Sequence, residues 1–334
     1  MVTGGAGYVG SYLVPHLLAE GYKVVVYDTC WFGNGFLPLD NGSLELVKGD
    51  IRDIESFKQA VEGCHSVIHL ACLSNDVSCQ LDEKLSTEIN YHAFEPLVIA
   101  SKEAGVKRFI YCSSSSVYGV SEAPDVTEDH PLVPLTLYNK YKGMCEPLLF
   151  KHQSEDFECV TLRPATVCGY APRMRFDLTV NIMTNHAVQA GKITVFGGGQ
   201  RRPNLNIKDM VDVYKRLLDA PASLIRGQTF NAGRQNMKVI EIAQLISQTV
   251  SKEMGKDLIP IEVKGYSDNR SYHINSDKIK NVLGWEPKYS VEDAIADMCV
   301  RFKSGLWKDS MTNPLYTNIK QYVDKHGFGG KTAA

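Results

Sequence analysis

An α/β fold is what this 334-residue sequence predicts: a doubly wound parallel sheet over residues 1–165, then a smaller, mixed C-terminal unit over residues 166–330 with segments returning to the first. Three observations predict it. As far as about Arg163, short β-branched runs alternate with helical stretches, the pattern of βαβ units around a parallel sheet. Beyond that point Gly and Pro punctuate more often, at Gly169, Pro172, Gly191, residues 197–199 and Pro203, and longer connections separate the helices. A composition of 44% hydrophobic and 22% charged residues suits a globular chain of two modest units.

Taken in order, the first strand is expected to be either stunted to residues 1–3 or trimmed, because the chain opens almost on a glycine loop. Further strands are expected at 23–28, 44–48, 66–70, 108–112 and 158–162, with helices between them at 9–20, 53–61, 83–104 and 138–153. The later part contributes helices at 239–251 and 291–303. No internal repeat is visible, and the tail after Gly327 is small and polar.

Composition excludes several classes of function. Lys plus Arg (36) nearly balances Asp plus Glu (38), so no net field draws the chain to nucleic acid or to an anionic membrane. No stretch approaches the ~18 apolar residues of a membrane span, and the first residues lack the layout of a signal peptide. A cytoplasmic protein is the expectation. Nine cysteines lie scattered without a C-x-x-C, so they read as reduced thiols filling core positions.

Residues 3–10 read Thr-Gly-Gly-Ala-Gly-Tyr-Val-Gly, which satisfies G-x-x-G-x-x-G through Gly4, Gly7 and Gly10, with Tyr8 and Val9 opening the helix. Glycines permit a tight turn and let backbone approach a pyrophosphate, while the helix that follows offers free N–H groups and a positive dipole end. Alone, such a loop is often only a turn. Asp28 changes the reading: it ends the second strand, 18 residues after Gly10, where a carboxylate accepts from an adenosine ribose in a Rossmann-type fold and repels a 2′-phosphate. NAD is therefore favoured over NADP, and the bland alternative is a capping Asp. Asp50 and Ile51 follow the third strand and could flank the adenine, although Asp50 in isolation reads as a helix cap.

Tyr138 and Lys142 stand four apart, on one face of a helix. A phenol has a pKa near ~10 and becomes a base at neutral pH only if a cation stabilises its anion; three units of lowering would take roughly 4 kcal/mol. Lys142 is expected to supply that charge together with the positive nicotinamide ring in a partly dry cleft. Ser113 to Ser116 directly follow the strand at 108–112, at the carboxyl edge of the sheet where doubly wound folds bind ligands.

With the glycine loop, Asp28, His69-Leu70-Ala71-Cys72, the serine cluster and Tyr138-x-x-x-Lys142 in this order, the chain resembles the extended short-chain dehydrogenase/reductase family, and within it the NAD-dependent nucleotide-sugar epimerase/dehydratase group. The resemblance continues through 162–166, Pro172-Arg173, Arg202, Asp209 and Leu283-Gly284-Trp285-x-Pro287. It implies a catalytic hydroxyl at Ser114, with Tyr138 and Lys142 completing the set. It also implies Leu70 and Ala71 against the cofactor, and Asn181, Arg202 and Arg270 on a substrate diphosphate. His69 is expected to pack or hydrogen-bond beneath the cofactor, with no metal. A homodimer paired through the helices at 83–104 and 138–153 is a further implication.

Within that group, dehydratases carry Asp-Glu after the catalytic hydroxyl and decarboxylases carry Glu, whereas here Ser115 and Ser116 stand there. Neither serves as a carboxylic acid or base. The resemblance therefore points to an epimerase acting at C4 of a nucleotide diphosphate sugar. Two alternatives stay open: a sugar 4-reductase or dehydrogenase of the same family, and a non-catalytic NAD-binding protein on the same fold.

Overall fold

The computed structural model describes residues 1–74, 76–265 and 271–318. In chain order the first half runs β1 (Val2–Thr3), α1 (Tyr8–Ala19), β2 (Val24–Asp28), β3 (Leu44–Lys48), α2 (Ile54–Val61) and β4 (Ser66–His69). Next come α3 (Asp76–Leu81), α4 (Glu83–Thr87), a π-helical turn (Glu88–His92), α5 (Phe94–Glu103) and β5 (Arg108–Cys112). A 3-10 turn (Ser115–Tyr118) and α6 (Leu137–Lys151) lead to β6 (Glu158–Pro164). The second half holds β7 (Thr166–Cys168), α7 (Thr179–Gln189), β8 (Ile193–Phe196), β9 (Arg201–Asn206), α8 (Ile207–Asp219) and α9 (Ala222–Ile225). It ends with β10 (Gln228–Ala232), β11 (Gln235–Lys238), α10 (Val239–Met254), β12 (Ile261–Lys264), α11 (Asp277–Leu283) and α12 (Val291–Lys303).

Seven parallel strands pair in the order β10-β6-β5-β4-β1-β2-β3. The strand order reverses at β1, which pairs with both β2 and β4, and such a reversal opens a crevice at the carboxyl ends of the strands. Alternation along each strand explains the two covered faces. Val26, Ile68, Ile110 and Val160 face one core with Leu13, Leu17, Tyr214 and Leu217 of α1 and α8. Tyr27, Val67, Phe109 and Tyr111, one residue away, face the other with Phe57, Leu97, Cys145 and Leu149 of α2, α5 and α6. Each such side chain contributes roughly 1.5–3 kcal/mol by leaving water. A buried cation ties the layers together: Arg108 pairs with Glu158 at 2.6 Å and donates to the last carbonyls of α8, at Leu217 and Leu218, and to that of Ala220 just beyond.

The later chain does return, since β10 joins the large sheet beyond β6. A mixed three-stranded sheet, β11-β9-β7, and a parallel pair, β12-β8, make up the rest, around a third core from α7, α10 and α12. Asp209 and the 283–287 motif brace this part: Asp209 accepts from the backbone N–H groups of Lys288 and Tyr289, and Trp285 donates to Asp212. All nine cysteines are free thiols. Among the described residues no helix is long and apolar enough to cross a membrane.

One expected element is broken. The helix expected at 83–104 is interrupted by the π turn, because the buried side chain of Asn90 reaches across to bond both the N–H and the C=O of Leu73, seventeen residues earlier. The long-range bond overrides local helical periodicity. The other expected boundaries hold or move by at most three residues.

His69 packs under the crevice as expected, its Nδ1 2.8 Å from the Thr3 hydroxyl and its ring beside Phe94 and Tyr111. Burial and the Lys142 charge push its pKa down to about 3. Below about pH 6.5 an unfolded histidine gains a proton that the folded one refuses, so stability falls with acidification between those two values, by up to ~1.4 kcal/mol per pH unit. His69→Gln keeps a partner for Thr3 but does not titrate, and should flatten the acid limb of melting temperature against pH. An unchanged limb would assign that sensitivity to other groups.

Candidate active site

A cavity of about 350 Å³ lies over the carboxyl ends of β1, β2, β4, β5 and β6. Its floor is the glycine loop. Gly7 caps α1 without any side-chain hydrogen bond, so the first N–H groups of the helix are left to a ligand. Gly4, Gly7, Tyr8, Val9 and Gly10 all line the cavity. Gly4 has φ +72°, and a Cβ there would lie 2.7 Å from the backbone N of Ala71, which is how the β1 and β4 loops close on each other at the sheet's reversal point.

Asp28 lines the same cavity and holds two loops at once. Its Oδ2 accepts from Ala6 N at 3.0 Å and its Oδ1 from Cys30 N at 2.7 Å. Burial lifts its carboxyl above the usual range, against those two bonds and the Arg173 charge. One carboxylate thus caps two loops and lines the cavity. Asp50 and Ile51 line the neighbouring wall with Asp50 paired to Arg52 at 2.7 Å, and Leu70 and Ala71 line the β4 side.

The four serines separate into distinct jobs. Ser113 donates to Glu146, whose carboxylate is gripped by Arg163 through bonds of 2.9 and 2.6 Å, a buried ion pair beneath the turn. Ser115 is buried. Ser114 faces the cavity as N-cap of the 3-10 turn, accepting from Ser116 N at 3.2 Å, with the two hydroxyls 2.7 Å apart. Ser116 in turn donates to Asn139.

Tyr138 and Lys142 both line the cavity from one face of α6, whose start is set by the Thr136 hydroxyl accepting from Asn139 N. Lys142 Nζ donates to the Cys112 carbonyl at 2.6 Å and sits 5.8 Å from the centroid of the Tyr138 ring. In the protein alone, burial holds the Tyr138 phenol well above its ordinary value, with nearby thiols adding to the rise and Arg175 opposing it. The ammonium makes its short bond to a carbonyl rather than to the phenol, and its charge does not offset the burial.

Two arginines that sequence reasoning left out of the site line the cavity. Arg173 is 1% exposed, its guanidinium 3.7 Å from the centroid of Phe32 and bonded to Asn318 at 2.6 Å. Burial and the neighbouring Arg175 push its pKa down to about 9. Arg175 pairs with Asp177 at 2.8 Å and donates to Ser74. Arg173 Nε and Arg175 Nη2 are buried without a hydrogen-bond partner, a costly state that a polyanion in the cavity would relieve. Their signal in the sequence was two arginines around a single Met, just after Pro172.

Asn181 does not reach the cavity. It is fully buried, giving its carboxamide to Gly169 N, the Tyr8 hydroxyl and the Arg175 carbonyl, so no group of it is left for a diphosphate. Tyr8 also donates to the Gly169 carbonyl at 2.7 Å, and these bonds fasten the glycine loop to the second half of the chain. Arg202 lies in a small side cavity with Ser116, Asn139, Asp76 and Tyr272, its guanidinium 5.4 Å from the Tyr272 ring. Arg270 lies outside the described residues. No cluster of metal-binding side chains occurs among the described residues.

The sequence profile of the NAD dependent epimerase/dehydratase family matches residues 1–233. A UDP-glucose 4-epimerase from Mycolicibacterium smegmatis is 29% identical over 91% of this chain and 98% of its own length. A dTDP-D-glucose 4,6-dehydratase from Mus musculus is 27% identical over 93% and 90%. Among solved structures, UDP-glucose 4-epimerase with UDP-glucose from Thermotoga maritima superposes with a TM-score of 0.80 and 25% identity, over 91% of this chain and 98% of that one.

Proposed function

The chain belongs to the NAD dependent epimerase/dehydratase family, and from that premise we propose that it epimerises a nucleotide diphosphate sugar at C4 through a transient 4-keto intermediate. The cofactor is NAD, and the cradle fits it: a glycine floor, Asp28 beyond β2, and buried guanidinium atoms awaiting an anion. One observation carries the choice of reaction. Among the described residues the cavity's carboxylates are Asp28, Asp50 and Asp76; the first two hold loops at the β2 and β3 ends, and Asp76 accepts from Thr136. The positions after Ser114, where elimination needs an acid and a base, hold a buried serine and one donating to Asn139.

A bound NAD would supply the acceptor and donor for the C4 hydride. Tyr138 takes the C4 hydroxyl proton as the C4–H bond breaks and gives it back when hydride returns to the opposite face, so protons and electrons balance over the cycle. Lys142 and the cofactor's positive ring together supply the charge that this phenol lacks in the protein alone. Ser114 holds the reacting oxygen, Arg173 and Arg175 take phosphate oxygens, and Arg202 reaches the sugar nucleotide from the side cavity. The same reading makes the protein a cytoplasmic homodimer paired through α5 and α6.

Purified protein incubated with UDP-glucose and no added NAD should interconvert the 4-epimers on retained cofactor, with light scattering of the same sample giving a dimer mass. Conversion that appears only on addition of stoichiometric NAD or NADH would favour a dehydrogenase or reductase, and no conversion of any nucleotide sugar would sink the proposal.

A further inference from the structure

We propose that Asn318 latches a roof over the cofactor crevice, so that NAD enters and leaves slowly and stays bound through many turnovers. The inference rests on the cofactor and not on the reaction. Its basis is a line of contacts joining two loops on either side of β1. Phe32, in the loop after β2, has the Arg173 guanidinium over its ring at 3.7 Å. Arg173 Nη2 donates to Asn318 Oδ1 at 2.6 Å. Asn318 Nδ2 donates in turn to Ser74 Oγ, in the loop after β4, at 2.8 Å. All four residues line the same cavity as the glycine loop at the end of β1, the strand between β2 and β4. A dinucleotide with its adenosine by Asp28 and its nicotinamide by Tyr138 therefore has its diphosphate enclosed between the glycine loop and this line of contacts.

Side-chain chemistry fits Asn318 to this place. A guanidinium only donates, so the carboxamide must turn its oxygen to Arg173, and its NH2 then faces Ser74. The segment that carries Asn318 hangs on the 173–177 stretch: Phe176 N donates to the Tyr316 carbonyl at 2.8 Å, and Asn318 N to Asp177 at 2.9 Å. These bonds make the two segments one body. The seam between that body and the β4 loop lies at Ser74, whose hydroxyl accepts from Asn318 and, at 3.1 Å, from Arg175. Parting the seam opens the roof. Because its bonds join protein to protein, removing them speeds entry and exit by the same factor and leaves their ratio alone. Slow exchange suits a reaction that returns its hydride within one cycle, since such a reaction never needs fresh cofactor.

Protein loaded with isotope-labelled NAD and chased with excess unlabelled NAD gives the exit rate with no sugar present. Asn318→Ala should lose the label about tenfold faster than the parent, and Ser74→Ala, which removes both bonds at the seam, faster still. Equilibrium dialysis should give each variant a Kd for NAD within about threefold of the parent. The double variant should be no faster than Ser74→Ala. Label lost at the parental rate by both single variants overturns the proposal. So does a Kd that weakens by the same factor as exit quickens, which marks a cofactor contact and not a latch. Ser74→Ala decides the matter if Asn318→Ala does not fold. Turnover of Asn318→Ala at saturating NAD tests the epimerase reading separately: a parental rate agrees with it, whereas a faster one places cofactor exchange in the cycle and refutes it while the latch stands.

Discussion

Tyr138→Phe should keep the fold, the bound NAD and the melting temperature, and lose turnover by roughly 10²–10⁴. The ring stays in the cavity wall at its distance from Lys142, and what disappears is the hydroxyl proposed to exchange its proton with the sugar. Lys142→Met differs in kind. Burial already holds the phenol well above its ordinary value, and losing a nearby ammonium raises it further, because a cation favours the anionic form. Activity that depends on phenolate should then slow and also move its rising limb to higher pH. Turnover of Tyr138→Phe within tenfold of the parent on a sugar the parent epimerises would remove Tyr138 as the base.

Local spacing made the cavity-lining hydroxyl, phenol, ammonium and glycine loop readable because each is a short-range pattern on one element: a loop entering a helix, an i to i+4 pair, a turn after a strand. The strands at 44–48 and 108–112 and the helix at 291–303 have the expected bounds for the same reason. Features set by distant partners were not readable. Asn90 breaks a helix through Leu73, and Arg173 enters the site only because the chain after β7 folds back over α1, with its backbone N donating to Ser11. Asn181 illustrates the converse error, for its place in the family pattern suggested a phosphate, while the tertiary fold uses it as a clamp on Tyr8 and Gly169. The raised phenol of Tyr138 belongs to the same class, since desolvation depends on what covers a residue and not on its neighbours in sequence.

Gly10→Ala should abolish retention of NAD and lower the melting temperature. A Cβ at Gly10 would lie 2.5 Å from Gly5 Cα, 2.5 Å from Gly5 O and 2.6 Å from Gly4 O, all backbone atoms of the loop itself. No side chain can rotate away, so either α1 moves off the loop or the loop opens, at a cost of about 1–3 kcal/mol or more. Both outcomes displace the free N–H groups at the start of α1 from the cavity, where the proposed cofactor diphosphate would meet them. Gly7→Ala is the informative contrast. Its added carbon would meet only Gly4 O, at 3.1 Å, and its backbone needs no left-handed angle. Gly7→Ala should therefore fold near the parental melting temperature, and any loss of NAD it shows comes from crowding the ligand rather than from breaking the loop. The measurement is NAD released per protein chain beside the thermal midpoint of each variant. Parental NAD content and midpoint in Gly10→Ala would mean that the close approach of α1 to the loop is not what shapes the cofactor site.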